Sequence, residues 1–301
     1  MERPSFFIIG APKCGTSSLY YWLSEHSKIF MSDIKEPHFF AEDLTSRRVK
    51  TLERYQSLFD DANDDHLAIG EASTGYLFYH KSIEKIETRY SKVNYIVMLR
   101  NPIEMAKSLH EQEVKCGNEH IMDFESAWRL SPERRTGGRV HFGCEDPERL
   151  DYMKRCRIGT QIKRLVQKVP KERILFIFLE DIRKNSKKEY EKCLNFLNVP
   201  TDNKLKFQVI NESKGIKYPK LRRLIRSAGR IRDLIKRKMG IDNSLGVELM
   251  KMMNDKERGE RRNEIVKESL EMEMYEYFEE EIEKVESVTG RKLLCKESYN
   301  I

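Results

Sequence analysis

The chain lacks a long hydrophobic run: nowhere in its 301 residues do apolar residues approach the about 18 in succession that a membrane-spanning helix needs. It lacks a cysteine framework. Six cysteines stand apart at positions 14, 116, 144, 156, 193 and 295. They have neither zinc-site spacing nor the density of a disulfide-stapled scaffold, so reduced thiols and no metal are expected. Internal repeats and Pro/Gly/Ser linkers are also missing, which excludes a solenoid and a string of tethered domains. Strand-like sequence begins at about Ser5, leaving no room for a signal peptide, and a cytoplasmic protein is expected. Charge of one sign does not dominate: 56 Lys and Arg face 49 Asp and Glu, a net charge of +7. That falls short of a nucleic-acid binder and favours an anionic ligand instead.

What is present is alternation. Continuous apolar runs at Phe6–Ile9, Ala68–Gly70, Tyr95–Leu99 and Ile174–Leu179 read as strands buried on both faces. Helical patterns separate them at Ser17–Glu25, Lys81–Tyr90, Ile103–Lys115, Asp151–Lys168 and Ser186–Leu197. Pro102 suits a first helical turn, with Asn101 as its cap. Such alternation predicts an α/β protein with ligands at the carboxyl ends of the strands. After about Lys214 strand-like runs stop and charged, helical sequence continues, so residues 220–301 read as a helical extension of a single domain spanning 1–301.

The first strand runs into Gly10-Ala-Pro-Lys-Cys-Gly15-Thr16-Ser17-Ser18. The two glycines have the spacing of a nucleotide phosphate loop, but Thr16 stands where that loop requires its lysine, and Lys13 lies inside the loop. Amides of Gly15, Thr16 and Ser17 at the start of a helix suit an anion, and the hydroxyls of Thr16, Ser17 and Ser18 add donors. A P-loop-like parallel sheet flanked by helices follows. The loop alone is also compatible with an ordinary Gly/Pro turn capped by Ser or Thr.

Pro12-Lys13-Cys14-Gly15-Thr16-Ser17-Ser18-Leu19 resembles the 5′-phosphosulfate loop of PAPS-dependent sulfotransferases, in which a lysine at the position of Lys13 contacts the phosphosulfate. "YIVMLRNPIEMAKS" resembles the family's 3′-phosphate motif, with Arg100 and Ser108 at the binding positions. "IKEPHFF" is similar to a segment of bacterial and heparan-type members whose glutamate, here Glu36, is the catalytic base; Ala41 stands where heparan-type enzymes carry an aspartate. "NESKGIKYP" resembles the loop over the nucleotide, matching at Ser213, Lys214 and Gly215, with Ile216 in place of an arginine. "LFIFLEDI" looks like the family's late strand. Together these motifs span residues 6–219, the expected PAPS-binding core. The resemblance implies PAPS as donor, PAP as product, no metal, and sulfuryl transfer to a hydroxyl or amine.

Sulfuryl transfer asks the protein for alignment, charge stabilisation and a base. Lys13 fits the stabilisation of a leaving 5′-phosphate. Glu36 is the expected base, with His38 as its assistant or rival. Glu71 and Ser73 in "GEASTGYL" and Trp128 in "DFESAWRL" are candidates for contact with the acceptor, expected to be a carbohydrate or glycolipid. Residues 217–239 hold ten Lys/Arg and one Asp among apolar residues at near-helical spacing. They suit an anionic glycan or a peripheral membrane contact, and equally an amphipathic helix with a solvated face. The competing readings are a sulfotransferase of small alcohols or phenols, a non-catalytic glycan-binding module, and a phosphate-loop kinase for which "ILFIFLED" supplies a Walker B-like strand.

Overall fold

The computed structural model describes residues 3–90, 92–140, 144, 146–202, 204–208, 268–291 and 293. The chain, read from its sequence as one domain, divides into two compact units. One comprises residues 1–109, 153–211 and 268–301, the other residues 110–152 and 212–267.

The first unit is built on five strands: β1 (Phe6–Gly10), β2 (Ile29–Met31), β3 (Ala68–Ala72), β4 (Asn94–Leu99) and β5 (Ile174–Phe178). Their order in the sheet is β2-β3-β1-β4-β5. Every neighbouring pair is parallel, for example Phe6↔Gly70, Ile8↔Ile96 and Val97↔Phe176. All residues of β1 and β3 are buried, which is why they carry unbroken apolar runs rather than an alternating pattern. Phe7, on β1, anchors an aromatic cluster with Phe40, Tyr76, Tyr90 and Tyr95, ring centroids 6.1–6.2 Å away. After β1 the chain moves to the β2–β3 side, and after β3 it returns past β1 to β4. The switch point therefore lies at the carboxyl end of β1, where open α/β sheets hold ligands.

The helices of the chain are α1 (Thr16–Ser24), α2 (Leu52–Gln56), α3 (Lys81–Arg89), α4 (Pro102–Cys116), α5 (Phe124–Arg129), α6 (Ser131–Arg135), α7 (Tyr152–Arg155), α8 (Ile158–Lys168), α9 (Leu179–Lys184), α10 (Ser186–Phe196) and α11 (Glu268–Thr289), among the described residues. Pro102 opens α4, and Asn101 Oδ1 accepts from Ile103 N at 2.9 Å, as expected. Two expectations are corrected. Leu179 belongs to α9 rather than to the late strand. The helix expected over Asp151–Lys168 is two helices, broken around Arg157, whose ψ of 60° is not helical.

The start of α8 after that break is met by α11, part of the expected helical extension. The Glu281 carboxylate accepts from Thr160 N and Thr160 Oγ1, both at 2.6 Å, and so caps the first turn of α8 from a distant helix. Gly159 permits this approach: a Cβ there would stand 2.1 Å from the Glu281 carbonyl oxygen. Among the described residues no helix is long and apolar enough to cross a membrane.

The second unit has its own buried polar core. Arg134 and Glu119, both almost wholly buried, pair at 2.7 Å, and Tyr152 donates its hydroxyl to Glu119 at 3.0 Å. Asp123 caps α5 by accepting from Ser126 N at 2.8 Å.

Candidate functional site

The candidate residues of the first unit all leave the carboxyl ends of strands. From β1 the chain enters the Gly10–Gly15 loop and then α1. Gly15, at φ +87°, is the N-cap residue of α1 and contributes no side-chain cap, and the first turn carries no acidic residue. Its leading N–H groups are left for an external acceptor by this arrangement. Gly15 is required on two counts: its φ is left-handed, and a Cβ would lie 2.9 Å from Leu179 Cδ1.

Cys14 is fully buried, and its thiol is turned toward the Pro12 carbonyl at 3.5 Å. Burial pushes that thiol up to about 12, against the lowering influence of Arg100 and Lys13. The side chain of Cys14 is thus a packing element of the loop and not a ligand group.

Arg100 follows β4 directly. Its guanidinium, 9% exposed, donates to the Lys13 carbonyl at 3.4 Å and to Glu104 Oε2 at 3.1 Å. Its Nε is buried and has no acceptor among the described residues. Residues 100, 104 and 108 are spaced by four, so Glu104 and Ser108 share one face of α4 below Arg100.

The second group of residues gathers where β2 and β3 end. Glu36 N donates to the Ala72 carbonyl at 2.8 Å, His38 N to Ser73 Oγ at 3.0 Å, and Phe40 N to Tyr76 Oη at 3.3 Å. Alternate residues of the Glu36–Phe40 loop are thereby pinned to the turn that follows β3. That turn is itself tied to β1, through Ser73 N to the Ile8 carbonyl at 3.0 Å and Leu77 N to the Ile9 carbonyl at 2.9 Å.

The Glu36 carboxylate receives donors on both oxygens. Lys35 Nζ stands 2.8 Å from Oε1 and His38 Nε2 2.9 Å from Oε2. Thr74 adds its N–H at 2.9 Å and its hydroxyl at 3.1 and 3.2 Å. Burial alone would raise the Glu36 carboxyl, but the His38 hydrogen bond and the Lys35 charge outweigh it and hold Glu36 well below the usual carboxylate range.

Three of the six non-glycine residues with positive φ among the described residues are Lys13 (65°), Glu36 (61°) and His38 (54°). Left-handed backbone costs free energy at a residue with a side chain, and it persists only where surrounding contacts over-determine it. The residues selected from the sequence for chemistry are the ones held this way.

The acceptor-side candidates fall differently. Glu71 is fully buried on β3, beneath the Glu36 loop, and accepts from Tyr55 and Tyr76 hydroxyls at 3.0 Å each. Burial raises its carboxyl to about 7. Ser73 is equally buried and holds the His38 backbone. Both support the site from behind rather than line an open cleft. Trp128 belongs to the second unit and is 0% exposed, with its ring tilted against Phe124 at 6.3 Å, so it presents no face to a sugar. Ser213, Lys214, Gly215 and the basic stretch 217–239 lie outside the described residues. Sequence reasoning passed over Thr74 and Lys35, although each adjoins a nominated residue: Thr74 follows Ser73, and Lys35 precedes Glu36.

This fold and site define a class: a parallel α/β protein with a P-loop-like glycine loop at its switch point and a carboxylate–histidine pair on the adjoining strand ends. The sulfotransferase domain family matches residues 3–293, and the chain belongs to it. A solved sulfotransferase from Alicyclobacillus acidocaldarius superposes with a TM-score of 0.70 at 24% identity, covering 97% of this chain and 98% of that one. Mouse sulfotransferase SULT7A1, solved with PAP, superposes with a TM-score of 0.51 at 14% identity over 95% and 86%.

Among curated proteins, human carbohydrate sulfotransferase 15 is 27% identical over 34% of this chain and 26% of its own length. The membrane-associated sulfotransferase kil1 of Dictyostelium discoideum is 28% identical over 37% and 23%. The chain thus spans about a quarter of the length of these relatives. The kinase reading gives way to the family match. Asp181 of its Walker B-like segment lies in the first turn of α9, paired with Arg291.

Proposed function

We propose that this sulfotransferase uses PAPS as donor and moves its sulfuryl group to a hydroxyl or amine of a carbohydrate or glycolipid. The observation that carries the reading is the pairing of two sites on neighbouring strand ends. The β1–β4 end offers a helix start without a side-chain cap, Lys13 and a buried Arg100 Nε that has no acceptor among the described residues. The β2–β3 end offers an ionised carboxylate against a histidine. The donor set fits PAPS: amides and Lys13 suit the 5′-phosphosulfate, and Arg100 with Ser108 suits the 3′-phosphate. The PAP complex of a structural relative agrees with this, and the carbohydrate acceptor is drawn from the curated relatives.

In the reaction an acceptor oxygen or nitrogen forms a bond to sulfur while the bond from sulfur to the 5′-phosphate oxygen breaks. Glu36 takes the proton lost by the acceptor, and the Lys13 ammonium follows the charge onto the leaving phosphate. A second reading makes His38 the base with Glu36 orienting its ring. The 2.9 Å contact between them and the low basicity of a carboxylate so richly hydrogen-bonded favour it.

The test is transfer from radiolabelled PAPS to glycans, glycolipid vesicles, phenols and small alcohols. Labelled glycan or glycolipid supports the proposal. Label confined to phenols or alcohols moves the protein to small-molecule sulfation, and PAP binding with no transfer to any acceptor leaves a binding module.

A further inference from the structure

The turn after β3 holds a group that neither the sequence motifs nor the family assignment singled out. Thr74 is 8% exposed and directs both of its donors at one carboxylate. Its N–H reaches Glu36 Oε2 at 2.9 Å, and its hydroxyl lies 3.1 and 3.2 Å from the two oxygens. A hydroxyl has one proton, so it serves one oxygen at a time, and the pair of distances describes a bridge across the carboxylate.

The other donors to Glu36, Lys35 and His38, belong to the same loop as Glu36 and move with it. Among the described residues Thr74 alone reaches it from outside that loop, from the turn after β3, where Ser73 and Leu77 bond their amides to β1. The Glu36 amide is bonded to the Ala72 carbonyl, two residues before Thr74. Both ends of Glu36 are therefore fixed to one short stretch of chain, which accounts for the persistence of its left-handed φ of 61°. A β-branched side chain at position 74 adds stiffness, because its χ1 is restricted.

We propose that Thr74 is a positioning residue that holds the Glu36 carboxylate in its working orientation. The inference rests on the reading of Glu36 as the proton acceptor. It accounts for the residue type: alanine or valine keeps the N–H and loses the hydroxyl, whereas serine keeps both. Among the described residues the charged groups facing Glu36 are Lys35 and His38 from its own loop and Glu71 from β3. None of them replaces a hydroxyl fixed to the sheet.

The experiment compares Thr74→Val, Thr74→Ala and Thr74→Ser in the full chain. The Glu36 carboxyl is titrated by ¹³C NMR on protein labelled at glutamate, with Glu36→Gln to assign the signal. Losing the hydroxyl weakens hydrogen bonding to the charged form, so valine and alanine are expected to move the midpoint up by about one pH unit, and serine to leave it in place. In steady state, kcat for PAPS-dependent transfer is expected to fall about tenfold in valine and alanine, with the KM for PAPS and the Kd for PAP within about twofold of wild type, and to recover in serine. An unmoved midpoint in both folded hydroxyl-free variants, or a loss of kcat that serine does not restore, overturns the proposal. The NMR arm needs no turnover. If the midpoint moves while wild type transfers sulfuryl to nothing, Thr74 holds Glu36 as proposed and it is the enzymatic reading that fails.

Discussion

Arg100 donates to the backbone carbonyl of Lys13 across 3.4 Å. The residue expected to grip the 3′-phosphate therefore also braces the loop expected to grip the 5′-phosphosulfate. The same guanidinium is held by Glu104 at 3.1 Å, an i,i+4 pair whose carboxylate is about half exposed. An anion approaching Arg100 meets a group already oriented, whose Nε has no acceptor among the described residues.

Replacing Arg100 with alanine is expected to weaken PAP binding at least tenfold, measured by calorimetry. Adenosine 5′-phosphosulfate, which has no 3′-phosphate, is expected to lose less, though not nothing, because the Lys13 brace goes too. A bidentate pair of guanidinium with phosphate contributes more than a single long hydrogen bond to a backbone carbonyl. Equal losses for the two ligands contradict the assignment of Arg100 to the 3′-phosphate.

Lys13→Ala is expected to lower kcat by about a hundredfold or more while PAP affinity changes little, since its contact strengthens as charge reaches the leaving phosphate. Removing a side chain from a backbone at φ 65° does not relieve that conformation, so the melting temperature is expected to stay within a few degrees. A folded variant with near-normal kcat removes Lys13 from the chemistry.

Glu71 gives the protein a pH signature of its own. Its folded-state carboxyl is raised to about 7, mainly by burial, above the ordinary value of about 4.5. The folded state therefore holds a proton that the unfolded chain releases earlier. Stability is expected to fall as pH rises from about 4.5 to about 7 and then to level off, by at most about 3 kcal/mol. Glu71→Gln abolishes that slope. Its melting temperature relative to wild type is expected to improve from pH 5 to about pH 7 and then to stay level to pH 8. A wild-type-to-variant difference that stays constant across this range shows that Glu71 does not titrate as described.

Why some of this was legible and some not follows from where each interaction is made. β1, β3, β4 and β5 were visible because strands covered on both faces need continuous apolar sequence, and Phe6, Phe7, Ile8 and Ile9 are all 0% exposed. The Gly10–Gly15 loop was visible because its glycines and the hydroxyls of Thr16, Ser17 and Ser18 lie within one short stretch of sequence. The clamp on Glu36 was not: Thr74 lies 38 residues away and is delivered by parallel pairing of β2 with β3. The cap on the first turn of α8 comes from Glu281, 121 residues beyond Thr160. Trp128 was open to two readings, a ring-binding face or a buried side chain, because a helical pattern shows that a helix has a buried face without showing that the tryptophan lies on it. Glu71 and Ser73 were expected to meet the acceptor, but both are fully buried, which their place in the sequence did not disclose.

The identity of the base is open to a direct contest between Glu36 and His38, whose carboxylate and ring nitrogen are 2.9 Å apart. Glu36→Gln keeps the size of the side chain and removes the proton acceptor, so PAP affinity is expected to hold while kcat falls by roughly 10²–10⁴-fold, the range for a positioned general base. The pH dependence separates the two candidates further. Glu36 is held well below the usual carboxylate range, so it is ionised at every pH where ordinary carboxylates are. If it is the base, wild-type kcat is expected to be flat through neutrality, with its acid limb lying below about pH 4. A histidine base instead gives a limb between about pH 5 and 8. Measuring kcat from pH 4 to 9 for wild type, Glu36→Gln and His38→Gln decides it. A flat profile with an inactive Glu36→Gln and a partly active His38→Gln establishes Glu36. A limb near neutrality that vanishes only in His38→Gln transfers the role to His38 and leaves Glu36 as the group that orients its ring.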